Sequence, residues 1–284
     1  MKPTLILVTI VLLASTLACG ITVNVPSVQT GPTQTLDINE TLPAVSGVTE
    51  LTIEMAAGKL NIEPASDKKL SGRVDYNVSD WMPTISSDSN SLTLSQLHGK
   101  SFSNFTGNDV INDWDLKIGN EVPLDLTVNA GAYKGRLDLS GLMLRRLEIN
   151  DGASEGDVKF NVPNPETMEK LVYRTGASKV SLYGLANANF TSMSFDGGAG
   201  DYLLDFSGTL NQDASVIVHS GVSSLTIIIP AGMHAVITNN GAISNVSHVG
   251  TWTVTNKLYE ASGEGHTLTV LVEMAVGNLK LVHQ

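Results

Sequence analysis

Apolar and polar residues alternate with a period of two along most of this chain, in short runs of Leu, Val and Ile broken by Gly, Asn, Asp and Ser. That spacing predicts half-buried β-strands. Helix signals are scarce, and Pro163-Asn164-Pro165-Glu166-Thr167-Met168-Glu169-Lys170 is the best candidate for a single helical turn. A longer period lies over the alternation. Gly-Ala, or once Gly-Val, recurs at Gly131, Gly152, Gly176, Gly198, Gly221 and Gly241, at intervals of 21, 24, 22, 23 and 20 residues.

Aligning on those glycines brings out columns. Five residues earlier stand Leu126, Leu147, Leu171, Met193, Val216 and Val236, and three residues earlier Val128, Ile149, Tyr173, Phe195, Val218 and Thr238. The position after the glycine is small: Ala132, Ala153, Ala177, Ala199, Val222 and Ala242. The apolar columns predict inward faces stacked on their neighbours, each glycine marking a turn into a second strand where no Cβ fits or φ is positive. Ile53–Leu60 matches Val272–Leu279, so one unit is expected to open and close the body. Residues 62 to about 122 lack the period and contain Trp81, Phe102, Phe105 and Trp114; they predict a cap over an open end of the stack. The fold expected is all-β: a solenoid-like stack of Gly-Ala-marked repeats, of period about 22, with a β-rich N-terminal capping subdomain.

The first residues add a location. Met1-Lys2 is followed by an uncharged apolar stretch from Leu5 to Ala14, then by Leu17-Ala18-Cys19. This is the layout of a secretory signal whose cleavage leaves a lipid-bearing cysteine, and it is too short for a membrane span. Cys19 is the sole cysteine, so a disulfide within the chain is impossible and acylation explains the thiol. Residues 1–18 are then the signal and 19–35, rich in Thr, Val, Pro and Gln, a flexible tether. The expected location is the cell membrane, lipid-anchored on the extracytoplasmic face. Loss of Lys2 with the signal takes the net charge from −11 to −12, with 16 basic and 28 acidic residues. An acidic surface argues against nucleic acid as a partner.

Asn112-Asp113-Trp114-Asp115-Leu116, then Val122-Pro123-Leu124-Asp125-Leu126-Thr127-Val128, Gly131-Ala132 and Leu137-Asp138-Leu139-Ser140-Gly141-Leu142 resemble the bacterial toast-rack family. The likeness covers roughly residues 35 to 284. It implies lipoproteins and membrane-linked proteins of the envelope, related to adhesin-like β-solenoids and to the C-terminal domain of LiaF-type stress proteins. It further implies a single-handed solenoid, without assigned catalytic residues. On that basis 36–122 is the expected N-terminal toast-rack domain and 123–284 the solenoid.

Candidate chemistry is sparse. The column two residues before each glycine is polar: Asn129, Asn150, Arg174, Asp196, His219 and Asn239. Stacking in register puts Arg174, Asp196 and His219 on adjacent rungs about 4.8 Å apart, either as a small site for an anion or sugar or as a solvated ladder of paired charges. Asp109, Asp113 and Asp115 in the predicted cap loop lack the spacing of a calcium loop. Trp114 is the candidate for stacking on a glycan ring. The six histidines lack metal-ligand spacing, no nucleophile elbow or phosphate loop occurs, and no cofactor or metal is expected. The expected function is a non-catalytic envelope scaffold for adhesion, protein contact or stress sensing, with the membrane, envelope proteins or cell-wall glycan as partners. A surface glycan-binding module is the alternative, and a polysaccharide-active solenoid enzyme a more remote one.

Overall fold

The computed structural model describes residues 29–44, 47–96 and 109–284; the proposed lipidation site Cys19, the leader before it, Phe102 and Phe105 lie outside the described residues. In chain order the strands are β1 (Gln34–Thr41), β2 (Thr49–Ala65), β3 (Lys69–Tyr76), β4 (Thr84–Ser87), β5 (Ser91–Ser95), β6 (Asn112–Gly119), β7 (Leu124–Asp138), β8 (Leu144–Lys159), β9 (Met168–Tyr183), β10 (Phe190–Asp205), β11 (Ala214–Ile229), β12 (Gly232–Asn239), β13 (Ile243–Val249), β14 (Thr253–Thr255), β15 (Leu258–Ala261) and β16 (Gly263–His283). All belong to one 16-stranded sheet. The protein is all-β, a stack of parallel rungs in the order β2-β7-β8-β9-β10-β11-β16, and consecutive rungs pair in register apart from a shift at the start of the β7–β8 pair, between Leu124 and Asp125.

Each rung is one strand bent at the glycine, not two strands joined by a turn. The reason lies in the alternation. In β7 the buried positions before the bend are Leu124, Leu126, Val128 and Ala130, and after it Tyr133 and Leu137. The inward set therefore switches from even to odd numbers across Gly131-Ala132. The extra residue sits on the outside of the corner, as in a bulge, so both arms turn their apolar side chains into one core. β8 and β9 repeat this around Gly152 and Gly176.

The glycines of this corner do not have positive φ. They are needed for close approach. A Cβ on Gly152 would stand 2.7 Å from Gly131 O, and one on Gly221 would stand 2.6 Å from Gly198 O. From β8 to β11 each rung thus rests its bend on the carbonyl of the glycine below, and β7 rests its own on Ala56 O. Inside the corner the middle rungs are polar. Buried Asp151 accepts from Tyr173 Oη at 2.7 Å, from Ser178 Oγ at 3.3 Å and from Thr175 Oγ1. Burial pushes the Tyr133 and Tyr173 phenols up, so both stay neutral there.

The two ends differ from the simple series expected. At one end β5 pairs with the first arm of β2 and β6 with the second, and antiparallel β3 and β1 continue from β6. At the other end, the strand matching β2 does not close the stack. β16 inserts between β11 and β12, and β12 and β13 pair with its two arms. The Gly241 rung therefore never touches the Gly221 rung in the ladder. Its face is also reversed: Ala235, Ile237 and Asn239 are buried, not Val236 and Thr238. The cause is register: Ile237, not Val236, stands beside Val270, and Ile243, not Ala242, beside Val276, so the bend falls one residue after Gly241, and a one-residue offset turns every side chain over.

No helical turn forms at 163–170. Residues 163–167 are a loop between β8 and β9. Asn164 replaces helical bonding there: its Oδ1 accepts from Leu144 N and Glu166 N, each at 3.1 Å, and its Nδ2 donates to Leu144 O at 2.7 Å. The short 3-10 turns lie instead at Ser79–Trp81 and Leu185–Ala188.

Candidate functional site

The outer face of the first arms carries the polar column. Each member stands two residues before the bend, where the alternation points it to solvent and the parallel register sets it beside its counterpart. The structure brings Arg174, Asp196 and His219 together on adjacent rungs: Asp196 is in register with Arg174 on one side and with His219 on the other. His219 Nδ1 lies 2.8 Å from Asp196 Oδ1, and Arg174 Nε lies 3.9 Å from Asp196 Oδ2.

The ladder is longer than these three. Asn150 Nδ2 donates to Asn129 Oδ1 at 2.9 Å, and Asn129 Nδ2 to Glu54 Oε1 at 3.4 Å. Arg174 NH1 donates to Asn150 Oδ1 at 3.1 Å and to Glu148 Oε1 at 2.6 Å. Hydrogen bonds from Asn150 and then from Arg174 hold the Glu148 carboxyl below the ordinary carboxylate range. Beyond His219 the chain of contacts reaches Glu273, whose Oε2 is 3.1 Å from Nε2. The line of hydrogen bonds and ion pairs thus runs Glu54, Asn129, Asn150, Arg174, Asp196, His219, Glu273, across every bent rung of the stack.

Glu273 takes the place expected for Asn239. Asn239 is in register with Val272 and turned inward, with 6% of its surface exposed. A signal for the missed glutamates exists in the sequence. In the matched segments Ile53–Leu60 and Val272–Leu279, Glu54 and Glu273 stand two residues before Ala56 and Ala275, the counterparts of the corner glycines.

Trp114 does not stack on a glycan: it is fully buried at 0% exposure. Its Nε1 donates to Asn112 Oδ1 at 2.9 Å, within a buried amide cluster in which Gln96 Nε2 also donates to that oxygen at 3.0 Å. Asp113 and Asp115 lie on β6, not in a loop. Asp113 pairs with Lys59 at 2.8 Å, and Asp115 accepts from Asn61 Nδ2 at 2.9 Å. Among the described residues no group of three or more His, Cys, Asp or Glu is placed to hold a metal ion.

Residues 29–169 match the model of a family described as the N-terminal domain of toast_rack. No curated protein matches. Among solved structures, a Clostridium sporogenes protein named for cell adhesion is similar with a TM-score of 0.47 and 21% identity, covering 88% of this chain and 100% of that one. A Parabacteroides distasonis protein named for lipid binding has a TM-score of 0.39 at 10% identity, covering 88% of this chain and 97% of that one. A Bacteroides fragilis protein named as an adhesin has a TM-score of 0.32 at 11% identity, with the same coverage of 88% and 97%.

Proposed function

Because the chain carries the toast-rack N-terminal domain over residues 29–169, we propose that it is a non-catalytic interaction scaffold of the cell envelope, held there by lipid on Cys19. The observation that carries this reading is the ladder from Glu54 to Glu273. Its members hold one another, so a flat polar strip is ordered before any partner arrives, and little side-chain entropy remains to be lost on contact. Such a strip suits an extended protein surface better than a small molecule, which needs concavity.

Exposed pairs of this kind contribute little to stability, about 0–1 kcal/mol each. That makes them clean probes. Replacing Arg174, Asp196 and His219 together by alanine should weaken capture of envelope proteins by tenfold or more, about 1.4 kcal/mol, with an unchanged melting temperature. Undiminished capture would overturn the reading. Loss of binding to purified cell-wall polysaccharide in the same variant, with protein capture intact, would move it to glycan recognition.

The anchor has its own test. Two or three acyl chains on one cysteine hold a protein stably to a bilayer. A Cys19→Ser variant should pass from the membrane pellet to the soluble fraction on cell fractionation; retention in the pellet would remove the lipid from the account.

A further inference from the structure

Sheet edges invite additional strands unless something blocks them. Among the described residues, four strands pair on one side only. β1 carries Asp37 and Glu40 along its edge, β4 has 4 residues and β14 has 3. Charge and shortness are the usual blocks. β13 has neither: it is 7 residues long, pairs only with β16, and contains no Asp, Glu, Lys, Arg or Pro.

Its sequence also has a symmetry. Ile243-Ser244-Asn245-Val246-Ser247-His248-Val249 has the same order of apolar and polar residues from either end, centred on Val246. An antiparallel pairing of two copies about Val246 therefore sets Ile243 against Val249, Ser244 against His248, Asn245 against Ser247 and Val246 against itself. Every apolar residue meets an apolar one, and no like charges meet. The neighbourhood fits a covered surface too. Val249 is 54% exposed, Val254 on β14 44%, and Val276, in register with Ile243, 42%.

We propose that β13 is a homodimerisation edge: two copies of this chain join by antiparallel β13–β13 pairing about a two-fold axis through Val246. A two-fold interface uses the same patch on both partners and closes after two copies, so the uncharged edge is consumed without leading to fibres. It stands at the far end of the stack from β1 and leaves the polar ladder open. The inference is independent of what that ladder binds.

The test exploits the Asn245–Ser247 pairing. Asn245 and Ser247 are exposed, so changing them leaves the protomer's fold intact, as circular dichroism checks. Sedimentation equilibrium of the full chain in density-matched detergent should give twice the protomer mass. Asn245→Lys with Ser247→Lys sets lysine against lysine twice and should return the mass to one protomer. Asn245→Lys with Ser247→Glu sets opposite charges face to face and should restore the dimer. A monomeric wild type, a dimer that survives the double lysine change, or failure of the charge-paired variant to rescue it would each overturn the proposal.

Discussion

Replacing Trp114 by alanine should destabilise the protein by about 3–5 kcal/mol and lower its Tm by roughly 10 °C for a chain of this size. The ring is fully buried between β2 and β3, where Trp114 is in register with Leu60 and Val74, both themselves at 0% exposure. Truncation leaves a cavity the size of an indole. It also strips one donor from Asn112, whose Nδ2 donates to Ala57 O at 2.6 Å and so ties β6 to the bend of β2. Trp114→Phe fills most of the space and should lose much less. Thermal melts of both variants check this. Normal stability of the alanine variant, with a defect confined to glycan binding, would mean that the ring is not packed here.

The second large effect concerns the corner. A valine at Gly152 brings its Cβ to 2.7 Å from Gly131 O, a backbone atom, so one of the two rungs must shift to admit it. The expected loss is about 3 kcal/mol. The control is the next residue. Ala153 faces outward, and Val222 and Val276 hold the same position on β11 and β16. Ala153→Val should therefore stay within about 0.5 kcal/mol of wild type. The pair of melts separates an argument about backbone approach from one about side-chain size. Equal stability of the two variants would contradict the carbonyl-on-glycine account.

The stacking was legible because burial repeats: a column that faces a common core must be apolar on every rung, and Leu126, Leu147, Leu171, Met193 and Val216 are. The bent strand was less legible, since a turn and a corner both favour Gly-Ala. Its mark is the change of parity, seen when Leu137, Val158, Val180 and Leu225 are counted from their glycines and fall on even steps where the earlier columns fall on odd ones. The last rung misled for a physical reason. Intervals along the chain say nothing of insertions in space, and β16 enters from beyond the Gly241 segment. Thr238 was the warning, the one polar residue in an otherwise large apolar column, and it is on the outer face.

The ladder was half legible. Its middle followed from register alone, but its end at Glu273 required knowing that the C-terminal strand, not the next repeat, lies beside β11. Trp114 was misjudged because an indole beside two aspartates suggests a surface loop. Alternation on a strand places those aspartates outward and the ring inward with equal economy.

The insertion of β16 also bears on how such a chain is made and how it can vary. β12 and β13 are synthesised before β16, the strand on which both pair. A nascent chain stopped short of residue 263 has no partner for β13 and only the short antiparallel β15 for β12, so completion waits for the C-terminus. The middle rungs have no such dependence, each meeting only its neighbours. Lengthening or shortening by whole repeats is therefore compatible with this topology between β7 and β11, and incompatible with it at either terminus.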